Sequence, residues 1–117
     1  AIVSAGTSDV GVAREAARTL HYYGVGTREM YDVGVAGLWR LLERVEELRD
    51  MQVVITVAGM EGTLPSVVAG LVPGANGIAA LHSALASCSP GLLVVNVDNG
   101  YGAGCAALRV LNAIRTR

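Results

Sequence analysis

Two side chains in this sequence have the reactivity for covalent or proton-transfer work, and both stand beside glycine-containing turns. Cys88 closes the stretch Ala86-Ser87-Cys88 and is followed by Ser89-Pro90-Gly91. A thiolate is a strong nucleophile and a good leaving group. A free cysteine at a helix end is equally at home as a small buried hydrophobe. Glu61 lies in Gly59-Met60-Glu61-Gly62, just beyond an apolar run. A carboxylate in a tight, partly dry loop has its pKa raised toward neutrality and suits a general base. Its structural alternative is to favour the start of the following helix through the macrodipole. Ser4, Gly6, Thr7, Ser8 and Asp9 bring hydroxyls and amides to the start of a helical pattern, which suits a phosphate or an ordinary helix cap. Asp9 would repel a phosphate, so its functional reading is a ligand for ribose hydroxyls or for a divalent metal, with Mg²⁺ the metal considered. Asp32 and Gly34 form another such turn, where both residues also fit purely structural roles. Asp98, Asn99, Gly100 and Gly102 form a last one. Its glycines fall short of the dinucleotide fingerprint spacing. It reads as a backbone approach to a nucleotide or to a neighbouring subunit, or as a simple turn.

The remaining reactive types are sparse. His21 and His82 are the only histidines and no CxxC occurs, so no metal-site spacing exists and both are read as structural. Cys105 lies among Ala and Leu and is read as packing, and Trp39 as core. Two cysteines are too few for a disulfide framework, which points to a reduced, cytoplasmic setting. All nine basic residues are Arg, against ten acidic ones, for a net charge of −1. That balance gives no nucleic-acid footprint. No apolar run approaches the ~18 residues of a membrane span. With 117 residues, 52% of them hydrophobic and 16% charged, the chain affords one packed domain and is not disordered.

Alternating strands and helices must position these turns. Ala1–Ala5 reads as a strand. The spacing of Val12, Ala13, Ala16, Ala17 and Leu20 gives a helix to Tyr22, stopped by Gly24. A weak strand at Thr27–Tyr31 precedes the Asp32–Gly34 loop. Leu38, Leu41, Leu42, Val45 and Leu48 mark a helix over Val35–Arg49, whose wet face carries Arg40, Glu43, Arg44, Glu46 and Glu47. Val53–Ala58 is a buried strand, and Leu64–Leu71 a helix with Pro65 in its first turn. A helix over Ile78–Ser87, a strand over Leu92–Val97 and a closing helix over Cys105–Arg115 complete the order, with Asp98–Gly104 as a glycine-rich loop. This is an α/β domain: a parallel sheet covered on both faces, in three layers of flavodoxin/Rossmann type. In such sheets ligands bind beyond the carboxyl ends of the strands. There the loops Gly6–Asp9, Asp32–Gly34, Gly59–Gly62 and Asp98–Gly104 gather.

The segments SAGTSD, YDVGVAG, VAGMEGTLPSVVAGL, ALHSALASCSPG and VVNVDNGYGAG resemble, in order, the C-terminal catalytic domain of the LarB family. LarB proteins are the PurE-like carboxylase/hydrolases of nickel-pincer nucleotide biosynthesis. The resemblance spans essentially the whole chain. It implies carboxylation of C5 of the pyridinium ring of nicotinic acid adenine dinucleotide, with carbon dioxide or bicarbonate as co-substrate. It also implies cleavage of the phosphoanhydride to release AMP, giving pyridinium-3,5-biscarboxylic acid mononucleotide, with no tightly bound cofactor. Cys88 would add to the ring and leave again, and Glu61 would take the C5 proton. Ser4, Gly6, Thr7, Ser8, Asp9, Asp32, Gly34, Gly59, Met60, Asp98, Asn99 and Gly100 would line the nucleotide site.

PurE aminoimidazole-ribonucleotide carboxylases, the wider relatives, carry a His-Arg pair near the second loop. YDVGVAG has neither. The runner-up activities are a PurE-type carboxylase and a non-catalytic nucleotide-binding module, which would need neither Cys88 nor Glu61. The chain opens mid-strand without Met and lacks the family's N-terminal segment, so it reads as an excised domain. Pro73 meets Gly74 where the β/α rhythm wants a strand and loop of about a dozen residues. The resemblance also implies a homo-octamer. The helices Ile78–Ser87 and Cys105–Asn112, poor in charge, are the expected subunit contacts.

Overall fold

A computed structural model describes residues 1–59, 62–72, 95 and 98–116. Strand β1 (Ile2–Ser4) is central and fully buried. It pairs in parallel with β2 (Glu29–Met30) on one side and β3 (Ile55–Val57) on the other. The order among the described strands is therefore β2-β1-β3. Val3 lies opposite both Met30 and Thr56, which fixes the register. Parallel neighbours require crossovers, and the helices provide them.

Successive residues of a strand face opposite sides of the sheet, and the core divides accordingly. Ile2, Val53 and Ile55 point to one side, where they meet Ala13, Ala16, Ala17 and Leu20 of α1 (Val10–Tyr22) and Ala103, Ala107 and Leu111 of α5 (Gly100–Arg115). Val3, Met30 and Val54 point to the other, onto Leu41 of α2 (Leu38–Leu42), Leu48 of α3 (Val45–Arg49), and Leu64 and Val68 of α4 (Leu64–Leu71). This is the expected three-layer α/β arrangement.

Helix α1 ends as its sequence dictates. Gly24 takes φ +75°, the Gly24 amide donates to His21 O and the Val25 amide to Leu20 O. That is a Schellman closure, which needs a residue at home in the left-handed region. On the same helix Gly11 is exposed, and a Cβ there would meet nothing within 4 Å. Gly11→Ala is therefore expected to stabilise the fold by up to about 1 kcal/mol, read as a Tm raised by a few degrees in a thermal melt.

Three expectations change. The helix expected over Val35–Arg49 is divided into a 3-10 turn (Val35–Gly37), α2 and α3. Arg44 leaves helical geometry at φ −114°, and its amide makes an i→i−3 bond to Leu41 O. Trp39 is not core: it is 63% exposed, with Val35, Leu38 and Leu42 also exposed beside it. Only Leu41 of the α2 stripe reaches the sheet. The closing helix starts at Gly100, five residues early, so Asp98–Gly104 is not an open loop. Asn99 caps it, its side chain accepting from the Gly102 amide at 2.7 Å. Gly100 and Gly104 lie against α1, where side chains would collide with Val12 O and Thr19. Ala107 and Leu111, on the helix expected to meet a neighbouring subunit, are spent on the protein's own core.

The helix expected over Ile78–Ser87, the strand over Leu92–Val97 (apart from Val95, which packs on the α1 side of the core), His82 and the Pro73–Gly74 junction lie outside the described residues. Among the described residues no helix is long and apolar enough to cross a membrane.

Candidate functional site

The carboxyl ends of β1, β2 and β3 emerge together, and close backbone contacts bind their loops into one surface. After β1 the chain turns through Gly6 into a 3-10 turn (Thr7–Asp9). The Gly6 amide donates to Asp9 Oδ2 at 2.8 Å, and the Asp9 amide returns to Gly6 O at 3.2 Å. One Asp9 oxygen thus shapes the loop. The other faces the third loop: a Cβ on Gly59 would stand 3.4 Å from Asp9 Oδ1. Ser4 is fully buried beneath, while Thr7 and Ser8 are exposed and free to present their hydroxyls.

The second loop is held against the first. Val33 N donates to Ser4 O at 3.0 Å and Gly34 N to Ala5 O at 2.9 Å, which prolongs the parallel ladder past Met30. A Cβ on Gly34 would lie 2.7 Å from Ala5 O, so glycine is what permits this approach. Just before these anchors Asp32 sits at φ +56°, a left-handed conformation that aspartate adopts more readily than most non-glycine residues. Its carboxylate accepts from Arg40 Nη1 at 2.6 Å.

Asp98 also takes a left-handed backbone, at φ +52°. The segment it opens is docked on α1 through the Tyr101 amide, which donates to Glu15 Oε1 at 2.9 Å. Asn99 is occupied by its cap, and Gly100 is buried under α1 instead of facing a ligand.

Ser4, Gly6, Thr7, Ser8, Asp9, Asp32, Gly34 and Gly59 are thus brought together by the three strand ends, and Asp98–Asn99 begin the neighbouring helix. Cys88, Glu61 and Met60 lie outside the described residues. Among the described residues no group of three His, Cys, Asp or Glu side chains surrounds Asp9 or any other point. Exposed His21 is at the other end of the sheet, within 2.8 Å of Thr27 Oγ1 ahead of β2.

Sequence reasoning missed Arg40, assigned above to the solvated face of a helix, and Glu15. Arg40 follows Asp32 by eight residues, a spacing that only the intervening 3-10 turn converts into contact. A cavity of about 210 Å³ lies at the amino ends of the strands, among Val25, Gln52, Leu111 and Arg115. It shares no residue with the loops, so this cavity and the gathered polar groups occupy opposite ends of the sheet.

Tyr31, just before the Asp32 turn, has its phenol pKa raised by burial and by its hydrogen bond to Glu29, against the opposing effect of Arg14, whose guanidinium lies 5.8 Å over the Tyr31 ring. Its side chain packs on the α1 side of the core.

A family model described as AIR carboxylase matches residues 1–117. The chain is 46% identical over 119 residues to the uncharacterized protein MJ0165 of Methanocaldococcus jannaschii, covering 91% of this chain and 46% of that protein. It thus spans about half the length of this curated relative. The crystal structure of Treponema denticola PurE is similar at a TM-score of 0.72 and 20% identity, over 96% of this chain and 78% of that one. A variant of PurE2 from the same organism gives 0.73, also at 20% identity and with the same coverage. At that identity the likeness is one of fold.

Proposed function

The chain belongs to the AIR carboxylase family, and from that premise we propose that it carboxylates a pyridinium nucleotide, nicotinic acid adenine dinucleotide, and releases AMP from it. The observation that carries this reading is the second loop. Where a PurE-type site is expected to present a His beside its Arg, this loop places Asp32 in a left-handed turn, clamped by an arginine from α2. The described site loops contain no imidazole. Exposed Thr7 and Ser8 and the amides of the first loop suit the dinucleotide's phosphates.

In the proposed reaction the Cys88 thiolate adds to the cationic ring, and the resulting electron-rich ring attacks carbon dioxide through C5. Glu61 takes the C5 proton, and the ring electrons then expel the thiolate and restore aromaticity. Phosphoanhydride cleavage by water yields AMP and the biscarboxylated mononucleotide.

Incubation with the dinucleotide and bicarbonate tests the reading, with AMP and the carboxylated mononucleotide as the expected products. AMP alone removes the carboxylase half. Binding without turnover favours a nucleotide-binding module. The second reading, carboxylation of aminoimidazole ribonucleotide, is favoured by the family description itself, and turnover of that substrate would select it. Glu61→Gln is expected to retain dinucleotide binding and lose turnover by about 10²-fold, the scale of a lost general base. Activity within a few-fold of the parent would make Glu61 structural.

The same reading includes an assembly of identical copies. Val35, Leu38, Trp39 and Leu42 are the exposed apolar side chains beside the site. Light scattering at micromolar concentration reads the assembly directly, and a clean monomer would overturn it.

A further inference from the structure

We propose that Glu15 is a positioning residue of this site: it ties the Asp98 turn to α1 and so fixes that turn relative to the first loop. The inference rests on the nucleotide-site reading above but not on the carboxylation chemistry.

Helix α1 springs directly from the first loop, since Asp9 ends the 3-10 turn and Val10 begins the helix. A Cβ on Gly100 would meet Val12 O and Ala16 N, and one on Gly104 would meet Thr19 and Ala16 O. Contacts that advance together along both helices mean that α1 and α5 run parallel. Asp98, two residues ahead of Gly100, therefore stands toward the end of α1 that carries Thr7–Asp9. It is exposed, and its backbone is left-handed at φ +52°.

Glu15 reaches across the contact between the helices. Its Oε1 accepts from the Tyr101 amide at 2.9 Å, a bond between positions 86 apart in the chain. Its Cβ would lie 2.8 Å from a Cβ on Gly100, so glycine is what lets the stem of Glu15 settle on the turn. Asn99 already caps α5 from within by accepting from the Gly102 amide. A second acceptor, from another helix, is more than starting a helix requires. What it adds is placement, because α1 is continuous with the first loop. With the Tyr101 and Gly102 amides both taken, the turn presents the Asp98 carboxylate to the site. A ligand that touches the first loop and Asp98 binds more tightly when their separation is already set, since the turn does not then have to be ordered on binding.

The test is calorimetric binding of nicotinic acid adenine dinucleotide to a set of variants. Glu15→Ala removes the acceptor and should weaken binding at least about 10-fold, the effect of one lost charge-assisted contact. Glu15→Gln keeps an oxygen at the same reach and should stay within a few-fold of the parent. Glu15→Asp keeps the charge but falls short of Tyr101 and should resemble Glu15→Ala. Amide hydrogen exchange at Tyr101 should speed up in Glu15→Ala and Glu15→Asp and hold in Glu15→Gln. A positioning role also predicts a closed cycle: Glu15→Ala added to Asp98→Ala should weaken binding no further than Asp98→Ala alone. Glu15 is exposed, so these variants leave the core untouched. Should Glu15→Ala fail to fold, Glu15→Asp against Glu15→Gln decides. Parent-like affinity of Glu15→Ala, an additive double variant, or a Glu15→Asp that binds better than Glu15→Gln overturns the proposal, as does a parent that binds no dinucleotide. A closed cycle without any turnover would uphold this inference while the proposed reaction fails. Full turnover with an open cycle would do the reverse.

Discussion

Cys88→Ser is expected to reduce formation of the carboxylated mononucleotide by more than about 10³-fold, the scale on which loss of a covalent nucleophile acts, with folding and dinucleotide binding retained. A pyridinium ring is electron-poor and does not attack carbon dioxide unaided. Addition of a thiolate removes the ring's positive charge and makes C5 nucleophilic. Serine has nearly the same size, but its hydroxyl is far less ionised at neutral pH and a poorer leaving group. The measurement is product mass and yield after incubation with dinucleotide and bicarbonate, beside a circular dichroism melt. Cys105→Ser is the control: Cys105 is half-buried on α5, beside the exposed ring of Tyr101. The control should turn over normally. Normal product from Cys88→Ser would end the covalent mechanism, whatever the substrate.

Gly100→Ala is expected to destabilise the fold by about 3 kcal/mol or more, at or beyond the upper end of ordinary overpacking. The sign matters here. Helix propensity alone predicts that alanine stabilises a helical position by about 1 kcal/mol over glycine, as expected at Gly11. At Gly100 a Cβ would stand 2.3 Å from Val12 O and 2.8 Å from Glu15 Cβ. The first of these is backbone and cannot rotate away. Either α5 lifts from α1 or its first turn unwinds, and the Asn99 cap and the Tyr101–Glu15 bond are lost with it. Chemical denaturation of Gly100→Ala and Gly11→Ala in parallel should give shifts of opposite sign. A stabilised Gly100→Ala would show that the two helices do not approach as described.

The element order was legible because burial imposes a period. Ala13, Ala16, Ala17 and Leu20 recur at helical spacing and are the residues α1 buries. The apolar runs at Ile2 and Ile55 are the strands of a sheet covered on both faces. Gly24 and Pro65 marked a helix end and a helix start through their backbone restrictions, which hold in any context. The gathering of the Ser4–Asp9, Asp32–Gly34 and Gly59 loops followed as well, since parallel strands put their carboxyl ends on one side.

What the sequence misassigned depends on which neighbour a residue meets. The glycines of DNGYGAG read as a loop because glycine is a poor helix former, yet α1 approaches too closely at Gly100 and Gly104 for any side chain. Trp39 read as core because it is large and apolar, but the direction of α2 gives that burial to Leu41. Arg40 read as solvated because charge at helical spacing usually is, and only the turn at Val35–Gly37 carries it onto Asp32. Period and backbone restriction are local and survive in a one-dimensional string. The close approach of two helices and the aim of a guanidinium are set by distances between segments far apart in the chain, and those exist only once the sheet has brought the segments together.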